Sequence, residues 1–107
     1  MPRLEQLLSL FKENPKDSFL LFALAKEYES AKKLDKALEK YLILVKNDEN
    51  YVGTYYHLAK LYENGNETDK ALGTYDKGMA IARKLGDQHA LSELSSAKMN
   101  LEMEDLI

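Results

Sequence analysis

The sequence predicts an all-α fold of about six helices. Charged residues make up 31% of the chain, and the abundant Leu, Ala, Lys and Glu all favour helices. The two prolines, Pro2 and Pro15, lie near the N-terminus, so residues 16–107 contain no proline that would break a helix. No alternation of apolar and polar residues typical of a strand extends over four or more positions.

The chain also repeats itself at a fixed interval. Residues 24–41 (LAKEYESAKKLDKALEKY) and residues 58–75 (LAKLYENGNETDKALGTY) align without a gap. Chance does not account for the density of identical positions, so the alignment indicates a true internal repeat. The identical pairs are Leu24/Leu58, Ala25/Ala59, Lys26/Lys60, Tyr28/Tyr62, Glu29/Glu63, Asp35/Asp69, Lys36/Lys70, Ala37/Ala71, Leu38/Leu72 and Tyr41/Tyr75.

Each repeat unit is predicted to form two amphipathic helices, because its apolar residues recur at i, i+3, i+4 and i+7. Ala25 and Ala37 are small enough to let the two helices approach closely. In the second unit, we expect Gly65 to end the first helix in a left-handed conformation, and Thr68 or Asp69 to begin the next. The apolar stripes are Leu21, Leu24, Ala25 and Tyr28; Leu34, Ala37, Leu38, Tyr41 and Val45; Tyr55, Leu58, Ala59 and Tyr62; and Thr68, Ala71, Leu72, Tyr75 and Met79.

These residues and the interval between them resemble the tetratricopeptide repeat, a helix–turn–helix unit of about 34 residues. Leu21 and Tyr55 stand where the family usually has Trp. Glu49 and Arg83 stand where it has a closing Pro. The resemblance implies a small stand-alone repeat protein, with antiparallel helix pairs stacked as a right-handed superhelix, a short solenoid. The residues that carry the resemblance are Leu24, Ala25, Tyr28, Ala37 and Tyr41, repeated as Leu58, Ala59, Tyr62, Ala71 and Tyr75.

The repeat register also predicts the organisation of the flanking segments. Pro15 lies one repeat length before Glu49, so the N-terminal segment aligns with the second helix of an incomplete repeat. Gly86 and Asp87 interrupt the long helix of the second unit, and the last segment is predicted to cap the array. The predicted single domain, 1–107, comprises a half-repeat helix at 1–15, a first repeat at 18–51, a second repeat at 52–85 and a capping helix at 87–105.

The residue types exclude most catalytic and metal-binding chemistry. The chain has no Cys, which rules out disulfides, thiolate metal sites and a Cys nucleophile. His57 and His89 have no further ligand at metal-binding spacing. The sequence contains neither a Gly-rich phosphate loop nor a Ser in a nucleophile-elbow motif. We therefore expect no enzyme activity and no cofactor.

Charge and composition also restrict the class of partner. The formal net charge is −3, which disfavours a nucleic-acid partner. The N-terminal segment is interrupted by charges too often for a signal peptide, and its polar face mixes both signs instead of being cationic, as a membrane-surface helix would be. We expect a cytoplasmic protein, a monomer or weak homodimer, whose partner is another protein or peptide and not a membrane.

The resemblance implies that the first helix of each repeat lines an inner groove. Phe19 and Phe22 would offer apolar surface there, and the lysines of the two repeats would offer cations to an acidic or carboxylate group. Two alternatives stay open: that the phenylalanines pack under the N-terminal half-repeat, and that Lys26 pairs with Glu29 or Ser30 on a solvated face. The implied groove residues are Phe19, Phe22, Lys26 and Glu29, followed by Gly53, Tyr56, Lys60 and Glu63.

The function predicted from these features is a protein–protein interaction module that presents a concave groove to an extended or helical peptide. One alternative is a small chaperone-like binder of apolar segments. The clamp of Lys, Asn and Arg with which chaperone-adaptor repeats hold acidic tails is not reproduced, because His57 replaces the Asn. A second alternative is a self-assembling structural homodimer, with contributions from Tyr51, Tyr55, Met99, Leu101 and Met103.

Overall fold

A computed structural model describes residues 2–106 as six α-helices joined by short turns. Within those residues there is no strand, so the prediction of an all-α fold of about six helices is confirmed. The contacts divide the chain into two compact units, the first ending at Tyr51 and the second beginning at Val52. The helices are α1 (Pro2–Glu13), α2 (Ser18–Ser30), α3 (Leu34–Asn47), α4 (Gly53–Asn64), α5 (Thr68–Leu85) and α6 (Gln88–Asp105).

The core of the first unit lies between α2 and α3, and α1 packs against α2. Most of the predicted apolar stripe is buried, but Leu34 is 46% exposed. Leu34 is the first residue of α3 and so lies at the end of the helix. An ion pair between Arg3 Nε and Glu27 Oε1, 2.6 Å apart, also joins α1 to α2. The buried residues of this unit include Leu4, Leu7, Leu21, Leu24, Ala25, Tyr28, Ala37, Tyr41 and Leu44.

The second unit contains α4, α5 and α6. Helix α6 packs on α5 and also contacts α4. Gly78 lies at a close approach between these helices. A Cβ atom at Gly78 would lie only 2.6 Å from Tyr55 Cβ and 3.0 Å from Leu94 Cδ1. The absence of a side chain at this residue therefore allows α4 and α6 to pack tightly against α5. The buried residues include Tyr55, Leu58, Ala59, Ala71, Tyr75, Leu94, Ala97 and Leu101.

The helix ends differ from the expectation at one glycine. Gly65 has a φ of −91°, and the left-handed residue is Asn66, with a φ of 61°. Lys32, which lies one repeat length earlier, has a φ of 60°, so both units turn in the same way. Asn tolerates this conformation better than most residues, which explains why Gly65 is not required to adopt it.

The interruption predicted at Gly86 is confirmed. Gly86 has a left-handed φ of 70° and follows α5 directly. The amide of Asp87 donates to the carbonyl of Ala82 at 2.9 Å, a bond typical of a helix that ends at a left-handed residue. The Asp87 carboxylate then accepts from the amide of Ala90 at 3.0 Å and caps α6.

Candidate functional site

The predicted residues of the first unit lie on the surface of α2. Phe19 is 65% exposed, which argues against its packing under α1. Phe22 is half-buried, with its ring centroid 6.1 Å from that of Tyr41 and 5.5 Å from that of Tyr51. Lys26 Nζ lies 5.8 Å from the centre of the Phe22 ring, within range of a cation–π interaction. Burial also raises the pKa of Tyr51, with a further contribution from nearby carboxylates.

The second unit repeats this arrangement on α4. Lys60 Nζ lies 5.7 Å from the centre of the Tyr56 ring and 3.6 Å from Glu63 Oε2. Both units thus present an aromatic ring followed four residues later by a lysine. We use the name first-helix surface for two sets of side chains, each described within its own unit: Phe19, Phe22 and Lys26 on α2, and Tyr56 and Lys60 on α4.

The two predicted glutamates are engaged by tyrosines of the second helices. The Tyr41 hydroxyl donates a hydrogen bond to the Glu29 carboxylate, and the Tyr75 hydroxyl donates one to Glu63. Burial is the main cause that raises the pKa of both tyrosines well above the usual range, and the hydrogen bonds to the carboxylates raise it further. Each glutamate therefore joins the two helices of its own repeat, a role that the sequence analysis missed.

The second unit also contains a cleft of about 360 Å³ between α4 and α6. Tyr56 and Lys60 form one wall. The opposite wall belongs to α6, which was predicted only as a cap. The signal in the sequence was a polar stripe at helical spacing, but such a stripe is also typical of a solvated face. The residues of the α6 wall are His89, Ser92, Glu93, Ser96, Ala97 and Asn100.

Two kinds of feature are absent from residues 2–106. Nowhere in this range do three His, Asp or Glu side chains cluster as metal ligands would. Similarly, none of the six described helices has the length and apolar character required to cross a membrane.

Comparison with known proteins identifies relatives at the level of structure. No protein-family model matches the chain, and no curated protein matches it. The tetratricopeptide repeat domain protein from Salinibacter ruber, solved by NMR, is 46% identical, with a TM-score of 0.79 over 82% of this chain and 89% of that one. A crystal structure of the tetratricopeptide repeat domain protein from the same organism is also 46% identical, with a TM-score of 0.77 over 80% of this chain and 97% of that one.

More distant structures share the fold alone. PcrH, solved in complex with the chaperone binding region of PopD, is 14% identical, with a TM-score of 0.86 over 95% of this chain and 77% of that one. The TPR2B domain of yeast Sti1, solved in a complex with pHsp70, is 16% identical, with a TM-score of 0.86 over 94% of this chain and 81% of that one. The 46% identity to the Salinibacter protein over most of both chains confirms the resemblance carried by the repeat residues: the chain belongs to the tetratricopeptide repeat family.

Proposed function

We propose that this protein is a non-catalytic protein–protein interaction module, and that its first-helix surface binds a peptide segment of a partner protein. The observation that carries this proposal is the recurrence of an aromatic–lysine pair on α2 and α4. Phe22 with Lys26 and Tyr56 with Lys60 have nearly equal separations, 5.8 and 5.7 Å. Both members of each pair lie on the first helix of their repeat, and Phe19 beside the first pair is exposed. The other recurring pairs, Lys36 with Tyr28 and Lys70 with Tyr62, instead join the two helices of one repeat.

The first-helix surface offers two kinds of contact to such a ligand. The aromatic rings provide apolar area, with Phe19 65% exposed. Lys26 and Lys60 provide cations that favour carboxylate groups. The hydroxyls of Tyr41 and Tyr75 occupy the neighbouring glutamates, which reduces the capacity of Glu29 and Glu63 to compete for the lysines.

Structures of the same fold support a peptide as the ligand. PcrH was solved with the chaperone binding region of PopD, and the Sti1 domain with pHsp70. Because the sequence identity to these proteins is low, they support the fold of this chain but do not identify its partner. The chemical class of the peptide must therefore come from the residues of this chain.

Charge reversal with a matched control tests the proposal. Lys26→Glu/Lys60→Glu changes the first-helix surface, whereas Lys36→Glu/Lys70→Glu makes the same change elsewhere. The control lysines are also one repeat length apart, and each lies 5.8 Å from the centre of a tyrosine ring, Tyr28 or Tyr62. The two double variants therefore change the net charge equally and remove the same number of cation–π contacts.

The readout is quantitative mass spectrometry of the proteins that each tagged variant retains from a cell lysate, with circular dichroism to verify folding. We expect a protein that binds the wild type and the control variant but not Lys26→Glu/Lys60→Glu. Equal retention by both variants, or equal loss, would contradict a binding role for the first-helix surface. Mapping of the retained segment would identify the chaperone-like alternative if that segment is apolar.

Self-association is a second candidate, favoured by apolar residues near the end of α6. Met99 is 58% exposed and Met103 is 59% exposed, and their spacing of four residues places them on one side of the helix. Leu101 and Tyr55, two further residues predicted for this contact, are buried and unavailable to a second copy. Light scattering over a concentration series tests this candidate: a dimer that Met99→Ser/Met103→Ser disrupts would support it, and a persistent monomer would remove it.

A further inference from the structure

The turn between α4 and α5 begins with Asn64 and Gly65, the one place in the sequence where a glycine follows an asparagine. Asn64 is the last residue of α4 and is exposed. Among the residues that the structure describes, none forms a hydrogen bond with its side-chain amide. The Asn64 amide is therefore accessible to water and is not held in place.

The geometry of the turn does not require a glycine after Asn64. Gly65 has a φ of −91° and a ψ of 8°. Ala31, one repeat length earlier, has almost the same conformation, with a φ of −83° and a ψ of 1°. A Cβ atom at Gly65 would lie 3.5 Å from the carbonyl oxygen of Leu61 and 3.7 Å from that of Tyr62, which are ordinary contact distances. An alanine would therefore fit, and what distinguishes Gly65 is that no Cβ shields its backbone nitrogen.

An unshielded nitrogen directly after an asparagine supports an intramolecular reaction. The backbone nitrogen of Gly65 gives up its proton to hydroxide and attacks Cγ of Asn64. A bond forms between these two atoms, the bond from Cγ to the side-chain nitrogen breaks, and that nitrogen takes a proton from water and leaves as ammonia. Water then opens the resulting succinimide ring at either carbonyl, so position 64 becomes aspartate or isoaspartate.

The folded turn restrains this reaction. The Gly65 amide donates to the carbonyls of Leu61 and Tyr62 at 3.1 and 3.2 Å, and the amide of Glu67 donates to the carbonyl of Tyr62 at 2.9 Å. The bonds from Gly65 must open before its nitrogen can approach the side chain of Asn64. Helix ends open locally at a lower free-energy cost than the whole domain unfolds. The rate in the folded protein should therefore follow the opening of this turn.

Asn66 influences how readily the turn opens. Its φ of 61° lies in the left-handed region, which glycine adopts without strain and β-branched residues adopt only at a cost. Its amide also donates to the carbonyl of Glu63 at 3.0 Å. Because Asn66 is not one of the two reacting residues, a substitution there changes the opening of the turn and leaves the reacting groups unchanged.

The products weaken the turn in which they form. Either product places a carboxylate at the end of α4, where the helix dipole disfavours negative charge. Glu63 and Glu67 lie close by in the chain and add to the repulsion. In the isoaspartate product the main chain runs through the former side-chain carbon. It is then one atom longer inside the turn that the bond from Glu67 to Tyr62 closes.

We infer that Asn64 is a site of spontaneous deamidation and isoaspartate formation, with the backbone nitrogen of Gly65 as the nucleophile, and that opening of the turn between α4 and α5 sets the rate. The reaction consumes only water and runs in one direction, towards a chain whose second unit is less stable. This inference goes beyond the proposed function and does not depend on it.

Incubation of the folded full chain at physiological temperature and pH tests the site itself. Peptide mapping by mass spectrometry detects the exchange of ammonia for water, and chromatography separates isoaspartate from aspartate. We expect both products at position 64, and we expect Gly65→Ala to slow their formation about tenfold. Asn100, an exposed asparagine that precedes a leucine in α6, is the internal control. No product at position 64 while the chain in guanidinium chloride reacts completely, or equal rates for Gly65→Ala and the wild type, would overturn the inference.

Substitutions at Asn66 test the dependence on turn opening. We expect the folded Asn66→Val variant to react about tenfold faster than the folded Asn66→Gly variant, and both to react at the same rate in guanidinium chloride. Circular dichroism verifies that both are folded. The matched controls are Lys32→Val and Lys32→Gly, which change the left-handed residue of the first unit and should leave the rate at Asn64 unchanged. Equal rates for the two folded Asn66 variants, or an equal effect from Lys32, would overturn control by this turn.

The variant Asn64→Asp tests the effect of the product charge, and Asn64→Gln is its neutral control. We expect a lower urea midpoint for Asn64→Asp than for Asn64→Gln at neutral pH. We also expect the two midpoints to converge in acid, where the carboxylate is protonated. Equal midpoints at neutral pH would overturn the claim that the product weakens the turn.

Discussion

The two repeats differ at one pair of equivalent residues where the first and second helices of a repeat meet. In the second repeat, the large Tyr55 packs against Gly78, whose missing Cβ makes room for it. The corresponding residues of the first repeat, one repeat length earlier, are Leu21 and Leu44, and both are fully buried. The second repeat thus combines a large side chain with a glycine where the first repeat has two leucines. The comparison teaches that the pair, and not either residue alone, specifies close packing between the two helices.

Other features are the same in both repeats. The bond from Tyr41 to Glu29 recurs between Tyr75 and Glu63, and the aromatic–lysine pairs recur on α2 and α4. Core packing therefore varies between the repeats where compensation is possible. The tyrosine–glutamate bonds and the aromatic–lysine pairs are present in both repeats.

Removal of the Leu44 side chain in the first repeat is expected to give the largest effect. Leu44→Gly leaves a cavity in a fully buried site and places a glycine inside α3. Together we expect these changes to lower the free energy of unfolding by about 3–5 kcal/mol, measured by urea denaturation. Leu42→Gly on the same helix is the control, since Leu42 is 44% exposed, and it should cost about 1 kcal/mol. Equal costs at the two positions would contradict the burial of Leu44.

The reverse change in the second repeat is expected to cost about 1–3 kcal/mol. Gly78→Ala places a Cβ 2.6 Å from Tyr55 Cβ, so the helices must separate. The control is Gly73→Ala in the same helix, where a Cβ meets nothing within 4 Å and where we expect a gain of about 0.5–1 kcal/mol.

The pairing itself is tested in a Tyr55→Leu background. Leucine keeps the Cβ and Cγ atoms nearest Gly78 but lacks the ring, so α4 is freer to shift away, and Gly78→Ala should cost less in this background than in the wild type. The coupling free energy from the double-mutant cycle measures the difference. A coupling free energy near zero would contradict the compensation between Tyr55 and Gly78.

The tyrosine–glutamate bonds found in both repeats are expected to make the free energy of unfolding depend on pH. The pKa of Tyr75 is raised from its ordinary value of 10.0 in the folded protein. Above pH 10 the unfolded chain loses this proton while the folded chain keeps it, so the free energy of unfolding falls as the pH rises. In Tyr75→Phe we expect a smaller decline above pH 10, together with a loss of about 1–2 kcal/mol at neutral pH.

Urea midpoints at neutral pH and above pH 10 provide the measurement, and Tyr41→Phe tests the equivalent bond of the first repeat. We expect the same direction of change in both variants, because Tyr41 is also fully buried and bonded to its own glutamate. If neither substitution reduces the fall in the free energy of unfolding above pH 10, these tyrosines are not its cause.

The smallest expected effect is at Thr54, which occupies the position of Leu20 in the first repeat. Thr54 is fully buried, and its hydroxyl has no hydrogen-bond partner among the described residues. Thr54→Val keeps the shape of the side chain and removes the unpaired polar group. We therefore expect the free energy of unfolding to rise by about 1 kcal/mol. A loss of similar size in calorimetry would mean that the hydroxyl has a partner in solution.

The sequence predicted the helices well because the repeat supplied the same signal twice. The stripe of Leu24, Ala25 and Tyr28 recurs at Leu58, Ala59 and Tyr62. The break at Gly86 was predictable because glycine readily adopts the left-handed conformation that ends a helix. The left-handed turn residue was predicted at Gly65 instead of Asn66, since glycine is the commoner choice and the spacing allowed either.

The candidate site was less accessible to prediction. The hydroxyls of Tyr41 and Tyr75 reach Glu29 and Glu63 on another helix, a contact that no local pattern reveals. The α6 wall was missed because Ser92, Ser96 and Asn100 carry the same signal as any solvated face. Only the packing of α6 beside α4 turns that stripe into one side of a cleft.

Site-specific photo-cross-linking tests the central claim, that the first-helix surface contacts the partner, most directly. A photoreactive phenylalanine derivative replaces Phe19, which is 65% exposed on α2, or Leu42, which is 44% exposed on α3. We predict that a partner protein retained from lysate cross-links to the first of these and not to the second. Cross-linking from position 42 alone, or equally from both positions, would contradict a binding role for the first-helix surface.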